Sequence, residues 1–142
     1  MKILDHYSID CTGKKAVVIG RSPVVGKPAA MMLLQKNATV TICHTKTTDM
    51  PSVVKEADIV IVAAGRAGVI GADYLRAGQT IIDVGINVNE EGRLCGDVSF
   101  ADAEPLVDAI TPVPGGVGSV TTSVLVEHVV DAALLKAGLD IL

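Results

Sequence analysis

Four short apolar runs recur along the chain: Ala16-Val17-Val18-Ile19, Thr39-Val40-Thr41-Ile42-Cys43, Ile59-Val60-Ile61-Val62-Ala63 and Thr80-Ile81-Ile82-Asp83-Val84. Each is rich in β-branched residues and bounded by polar residues or glycine, the pattern of buried strands. Between them the period changes to a helical one. Residues from about Val25 to Lys36 predict a helix whose apolar face includes Met31, Leu33 and Leu34. Asp49 is placed to cap a helix running to about Glu56. A short helix is predicted near Ala72–Leu75, a turn at Asn89-Glu90-Glu91-Gly92, and a further short strand including Leu94 and Cys95. Ala101–Leu106 reads as helical, Ala109-Ile110-Thr111 as a last strand, and Ser119 to Lys136 as the final helix. Residues 1–9 read as a short amphipathic helix, with Ile3, Leu4 and Tyr7 at helical spacing. Strands that alternate with helices predict an α/β fold. The expected form is a Rossmann-type, doubly wound, mostly parallel sheet with helices on both faces.

Length and composition fit that picture and narrow the partners. The 142 residues are the size of one domain, expected to span 1–142. Apolar residues make up 49% of the chain and aromatic residues 2%, so the core is expected to be aliphatic, as in sheets covered on both faces. A net charge of −4 argues against a nucleic-acid or anionic-membrane surface and leaves room only for a local anion site. Ala109 to Val126 carries no charge, but Pro112, Pro114, Gly115, Gly116 and Gly118 interrupt it, so a loop entering a helix is expected there and not a membrane span. Cys11, Cys43 and Cys95 are odd in number and widely spaced, with neither a metal nor a disulfide pattern, which fits a reduced, cytoplasmic setting. Cys43 is expected to be a small buried packing residue.

The candidate chemistry lies in the turns that follow the strands. Gly20-Arg21-Ser22-Pro23-Val24-Val25-Gly26 joins the first strand to the first helix. Gly20 allows a tight exit. Gly26 allows a close backbone approach, to a pyrophosphate or to a neighbouring strand. The helix N-terminus then offers N–H groups and partial positive charge to a phosphate. In an NAD-binding fold an acidic residue about 20 positions further on takes the ribose hydroxyls. Here the second strand ends in Cys43-His44-Thr45-Lys46-Thr47, with no carboxylate before Asp49. Thr45 with Arg21 could clamp the 2′-phosphate of NADP. Lys46 reads equally as a phosphate contact or a solvated turn residue, and His44 as structural. His6 and His128 belong to no catalytic constellation, and no metal cluster or catalytic triad is expected.

Four segments together carry a resemblance: Val18-Ile19-Gly20-Arg21-Ser22-Pro23-Val24-Val25-Gly26-Lys27-Pro28, Cys43-His44-Thr45-Lys46-Thr47, Asp83-Val84-Gly85-Ile86-Asn87 and Thr111-Pro112-Val113-Pro114-Gly115-Gly116-Val117-Gly118. In this order they resemble the bifunctional methylenetetrahydrofolate dehydrogenase/methenyltetrahydrofolate cyclohydrolase family, over nearly the whole chain. The resemblance implies NADP as cofactor. It implies that Gly20, Arg21 and Ser22, with Val25 and Gly26 of the same loop, hold its phosphates and ribose. Thr45 would lie on the adenosine side, and Ile86 and Thr121 near the nicotinamide. Pro114, Gly115 and Gly116 would form a loop between nicotinamide and folate. Ser119-Val120 departs from the family, where Pro-Met is more usual.

The resemblance also implies what the whole enzyme does. It would oxidise methylenetetrahydrofolate with NADP and hydrolyse the methenyl product to formyltetrahydrofolate, as a homodimer. The family's Tyr/Lys motif and pterin-binding Asp belong to an N-terminal domain that is expected to be absent here, with residues 1–9 the end of the helix joining the two. The folate would be shared with that domain, so no catalytic residue is assigned to this chain, and it is expected to be inactive alone. Two other readings stand beside this one: a stand-alone dinucleotide-binding regulatory module, and another NADP-dependent dehydrogenase of shikimate-dehydrogenase-like topology.

Overall fold

A computed structural model of the chain describes residues 1–140; the last two residues of the expected domain lie outside the described residues. The elements follow one another as α1 (Lys2–His6), β1 (Lys15–Ile19), α2 (Gly26–Gln35), β2 (Thr39–Cys43), α3 (Met50–Lys55), β3 (Ile59–Val62), a 3₁₀ turn (Ala72–Tyr74), β4 (Thr80–Asp83), β5 (Asn87–Val88), β6 (Leu94–Cys95), α4 (Phe100–Ala103), β7 (Ala109–Ile110) and α5 (Val117–Lys136). Five strands form one parallel sheet in the order β2-β1-β3-β4-β7, and β5 and β6 form a separate antiparallel hairpin. The chain therefore winds outward from β1 to β2, crosses back to β3, and winds the other way. The reversal lies between β1 and β3, where an open sheet of this kind leaves a crevice beyond its carboxyl ends.

Strand alternation divides the core in two. Val17, Ile19, Val60, Val62 and Ile81 face α3, the 3₁₀ turn and α4. Ala16, Val18, Ile59, Ile61 and Ile82 face Leu4 of α1 and Ala30 and Leu33 of α2. All four residues of β3 are buried, as both-face coverage requires, whereas β2 is an edge strand with Thr39, Thr41 and Ile42 exposed. Cys43 is fully buried, as expected.

Some sequence expectations are corrected by the packing. On α2 only Leu33 of the three predicted face residues is buried; Met31 and Leu34 are 57% and 53% exposed, because Gly26 and Ala30 form the contact face with it. Tyr7 is exposed, so α1 is anchored by Leu4 alone among its buried residues. Asp49 does stand at the N-cap of α3, but its backbone is left-handed and its side chain makes no capping bond. The helix expected at Ala101–Leu106 is only the turn Phe100–Ala103. The final helix begins at Val117, two residues before the expected start and with Gly118 inside its first turn; of the expected breakers only Pro112, Pro114, Gly115 and Gly116 precede it. It is long and apolar enough to cross a membrane by length and composition, and none of its residues is buried. Glu127, His128, Asp131 and Lys136 lie along it.

One buried amide closes the end of α3. Gln79 is fully buried; its Nε2 donates to the carbonyls of Val54 and Ala57, 2.8 and 3.0 Å away, and its Oε1 accepts the Arg76 N–H at 2.8 Å. Replacing it with leucine keeps the bulk and strands the Arg76 N–H, while the Val54 and Ala57 carbonyls keep the Ala57 N–H and the Arg76 guanidinium as donors. Gln79→Leu is expected to lower stability by about 1–3 kcal/mol in a urea titration, since buried groups left unpaired cost that much; an unchanged midpoint would show that water takes over the bonds.

Candidate functional site

The site is assembled from turns at the carboxyl ends of the parallel strands, beginning at the reversal point. Gly20 leaves β1 with φ 123°, and its N–H donates to the Cys43 carbonyl at 2.8 Å, so the turn starts tied to the end of β2. A Cβ on Gly20 would overlap the Ala63 carbonyl after β3. A Cβ on Gly26 would overlap the Gly20 carbonyl and come within 2.9 Å of the Arg21 nitrogen. Gly26 thus closes the loop onto its own first residues, not onto a neighbouring strand. The Ser22 hydroxyl turns inward and accepts the N–H groups of Val25 and Gly26 at 3.0 and 3.3 Å, capping the entry to α2. Val25 is half-buried at the N-cap of that helix.

The end of β2 folds into a tight turn. The His44 N–H donates to Thr47 Oγ1 at 2.9 Å, and His44 Nδ1 accepts the Lys46 N–H at 3.1 Å. The histidine is therefore a turn-former, and Thr45 and Lys46 are exposed beside it. Arg21, Lys46 and Arg66, following β1, β2 and β3, are exposed at this edge, and among the described residues none of them enters an ion pair. A chain of net negative charge thus keeps three free cations where its strands end.

The other wing of the site is a cleft of about 200 Å³ walled by Gly85 and Ile86 after β4, Leu94 of the hairpin, the loop from Pro112 to Gly116, and the first turn of α5 from Val117 to Ser119. Ile86 is 68% exposed and Leu94 49% exposed, so two apolar side chains stand at its mouth. Pro114 and Gly115 are exposed, Gly115 has φ 95°, and Gly116 is buried with no room for a Cβ beside the Pro112 carbonyl. The Val113–Pro114 peptide is cis. Thr121 stands apart from this cleft. Its hydroxyl donates to the Val117 carbonyl of its own helix at 2.9 Å, and it shares with Val25 a second cavity between α1, α2 and α5. The structure thus brings Ile86, Pro114, Gly115 and Gly116 together, and gathers Gly20, Arg21, Ser22, Gly26 and Thr45 at the ends of β1 and β2.

Sequence reasoning passed over the residues beneath these walls. Asp83 and Asp97 are 3% and 0% exposed. Asp83 accepts the N–H groups of Gly85, Asp97 and Val98, and its own N–H donates to Thr111 Oγ1. Asp97 accepts the N–H groups of Gly65 and Arg66 and the side-chain amide of Asn87. Burial pushes the Asp83 carboxyl above the usual carboxylate range, against the three N–H donors that hold it ionised. An aspartate inside an apolar strand was a visible signal, because such a group is tolerated only with partners.

A family model for the tetrahydrofolate dehydrogenase/cyclohydrolase NAD(P)-binding domain matches residues 1–137. The chain belongs to this family. The bifunctional protein FolD of Carboxydothermus hydrogenoformans is 57% identical over 141 residues, which are 98% of this chain and 49% of that protein. The crystal structure of the bifunctional FolD enzyme of Campylobacter jejuni superposes with a TM-score of 0.93 at 46% identity, covering 96% of this chain and 48% of that one. The Trypanosoma brucei methylenetetrahydrofolate dehydrogenase-cyclohydrolase, solved with NADP cofactor and inhibitor, superposes with a TM-score of 0.79 at 40% identity, over 87% of this chain and 44% of that one. The chain spans about half the length of the curated relatives it matches. Membership in the tetrahydrofolate dehydrogenase/cyclohydrolase family sets aside the reading as a dehydrogenase of shikimate type.

Proposed function

We propose that this chain is the NADP-holding part of an enzyme that oxidises methylenetetrahydrofolate and hydrolyses the methenyl product to formyltetrahydrofolate. The observation that carries the cofactor choice is the pairing of unpaired Arg21 with the exposed Thr45–Lys46 turn, where no carboxylate stands. The closed glycine turn also fits a dinucleotide. With no side chain on Gly20 or Gly26, the turn folds onto itself at the N-terminus of α2. Ser22 takes the first N–H groups of that end, so a phosphate there would meet the partial positive charge of the helix and the Arg21 side chain. Gly20, Arg21, Ser22, Val25, Gly26 and Thr45 would hold the phosphates and the adenosine half, and Ile86 and Thr121 the nicotinamide half. When bound, the nicotinamide supplies a hydride acceptor.

The chain's own contribution is placement and exclusion of water. Ile86 and Leu94 offer apolar contact at one side of the cleft, and Pro114-Gly115-Gly116 shape the side that would face a folate. Holding reactants in a productive geometry can supply a large share of an enzymatic rate. The acid–base groups are assigned to the half of such enzymes that this chain does not match, and the folate is shared with that half. The homodimer and the cytoplasmic setting implied by the family are part of the same proposal.

Two outcomes test it. The 142-residue chain is expected to bind NADP yet to reduce none when methylenetetrahydrofolate is added; turnover at an enzyme-like rate would place the missing catalytic group within these residues. Cofactor choice is tested by substitution. Hydrogen bonds to charged groups are worth about 1.5–3 kcal/mol, and an exposed site takes the low end, so Arg21→Ala is expected to weaken NADP about tenfold and NAD far less. Thr45→Ala acts in the same direction but less, and added salt weakens NADP more than NAD. Gly26→Val is the contrast, lowering both affinities by comparable factors through the shared pyrophosphate. Calorimetric dissociation constants for both dinucleotides, at two ionic strengths, decide it. Equal losses in Arg21→Ala would assign Arg21 to the pyrophosphate and remove the basis for NADP.

A further inference from the structure

The turns after β3 and β4 and the strap that follows the hairpin are held by two aspartates packed in a crossed arrangement. Asp83, at the end of β4, lies against the Cα of Gly96, where a Cβ would overlap its carboxylate. Asp97, next to Gly96, lies against the Cα of Gly85 in the same way. Each carboxylate thus fills the space left by the glycine beside the other. The segment around Asp97 is itself strapped to the chain after β3: the Gly68 N–H donates to the Gly96 carbonyl, the Ile70 N–H to the Asp97 carbonyl, and the Ser99 N–H to the Ile70 carbonyl, at 2.8–3.2 Å.

The donors show what the pair secures. Asp83 takes the N–H of Gly85, and Asp97 takes the side-chain amide of Asn87, so the exposed Ile86 is gripped on both sides. Asp97 also takes the N–H groups of Gly65 and Arg66, two and three residues beyond the Ala63 carbonyl that Gly20 touches. The Asp83 N–H reaches Thr111 Oγ1, immediately before the loop that forms the opposite wall of the cleft. Six N–H donors converge on two side chains that carry only acceptors, and among the described residues no cation pairs with either. A carboxylate suits this task because an asparagine would turn an NH₂ group toward at least one N–H donor.

We infer that Asp83 and Asp97 are positioning residues for the nicotinamide half of the cofactor, acting through Ile86 and the Gly65–Arg66 turn. The inference rests on the dinucleotide reading above. It separates the two ends of the ligand: the adenosine end meets Arg21 and Thr45, which neither aspartate touches, whereas the nicotinamide end meets the walls they hold.

The test uses two probes on the 142-residue chain, NADP⁺ and 2′,5′-ADP, which carries the adenosine end alone. Asp97→Asn, shown to be folded by circular dichroism, is expected to weaken NADP⁺ by about tenfold, as for loss of a charge-assisted hydrogen bond, and to leave 2′,5′-ADP within about twofold. Asp83→Asn should show the same split. Asn87→Ala removes one half-buried donor, keeps both carboxylates, and should weaken NADP⁺ by about threefold with 2′,5′-ADP unchanged; it carries the test if the aspartate variants do not fold. A merely structural role would lower thermal stability and leave the ratio of the two dissociation constants as in the wild type, and that result overturns the inference. Failure of the wild-type chain to bind either probe overturns the dinucleotide reading itself, and the inference with it.

Discussion

The arrangement of this domain depends on backbone meeting backbone at the point where the strand order reverses. Gly20 lies against the Ala63 carbonyl, and Gly26 against the Gly20 carbonyl, with no space for a side chain at either contact. The first contact brings the ends of β1 and β3 together. The second folds the intervening loop flat, so that α2 starts directly over the crevice. A methyl group at either position would push the loop away from the sheet. The buried residues of β1 and β3, which form the middle of both core layers, hold the two strand ends in register while this contact is made.

From that contact the site extends in two directions with different chemistry. Toward β2 it is cationic and hydroxyl-bearing, set on turns closed by their own side chains: Ser22 over the start of α2, Thr47 and His44 around Thr45. Toward β4 and β7 it is apolar and glycine-rich, and its walls stand on the two buried aspartates. A dinucleotide has the same polarity, charged at the 2′-phosphate end and flat at the nicotinamide end. The family model matched over residues 1–137 is that of an NAD(P)-binding domain, which agrees with a cofactor-holding role for these residues.

The strands and the site turns were legible in the sequence because both are local. A run such as Ile59-Val60-Ile61-Val62 has few alternatives to a strand buried on both faces, and a glycine-bounded loop between strand and helix announces a close backbone approach. The face of α2 was not legible, because Met31, Met32, Leu33 and Leu34 are apolar all round and only packing selects Leu33. The extent of the last helix was legible to within two residues, but not that none of its residues would be fully buried. Asp83 and Asp97 escaped notice for a different reason. Apart from the Gly85 N–H beside Asp83, their donors lie 10–32 residues away in sequence, so the partners that make each aspartate tolerable are not visible locally. Thr121 was read by resemblance alone, and its hydroxyl is engaged within its own helix.

The central claim is that a dinucleotide lies along this edge, with its phosphates at the glycine turn and its far end in the cleft beside Ile86. Titrating NADP⁺ into ¹⁵N-labelled chain and following backbone amide resonances tests it most directly. The account predicts saturable shifts at Gly20, Arg21, Gly26 and Thr45, together with Ile86, Gly115 and Gly116, while amides lining the cleft at the opposite end of the sheet, at Ser8, Cys11 and Asn37, stay in place. Shifts confined to that opposite cleft, or none at saturating cofactor, would contradict it.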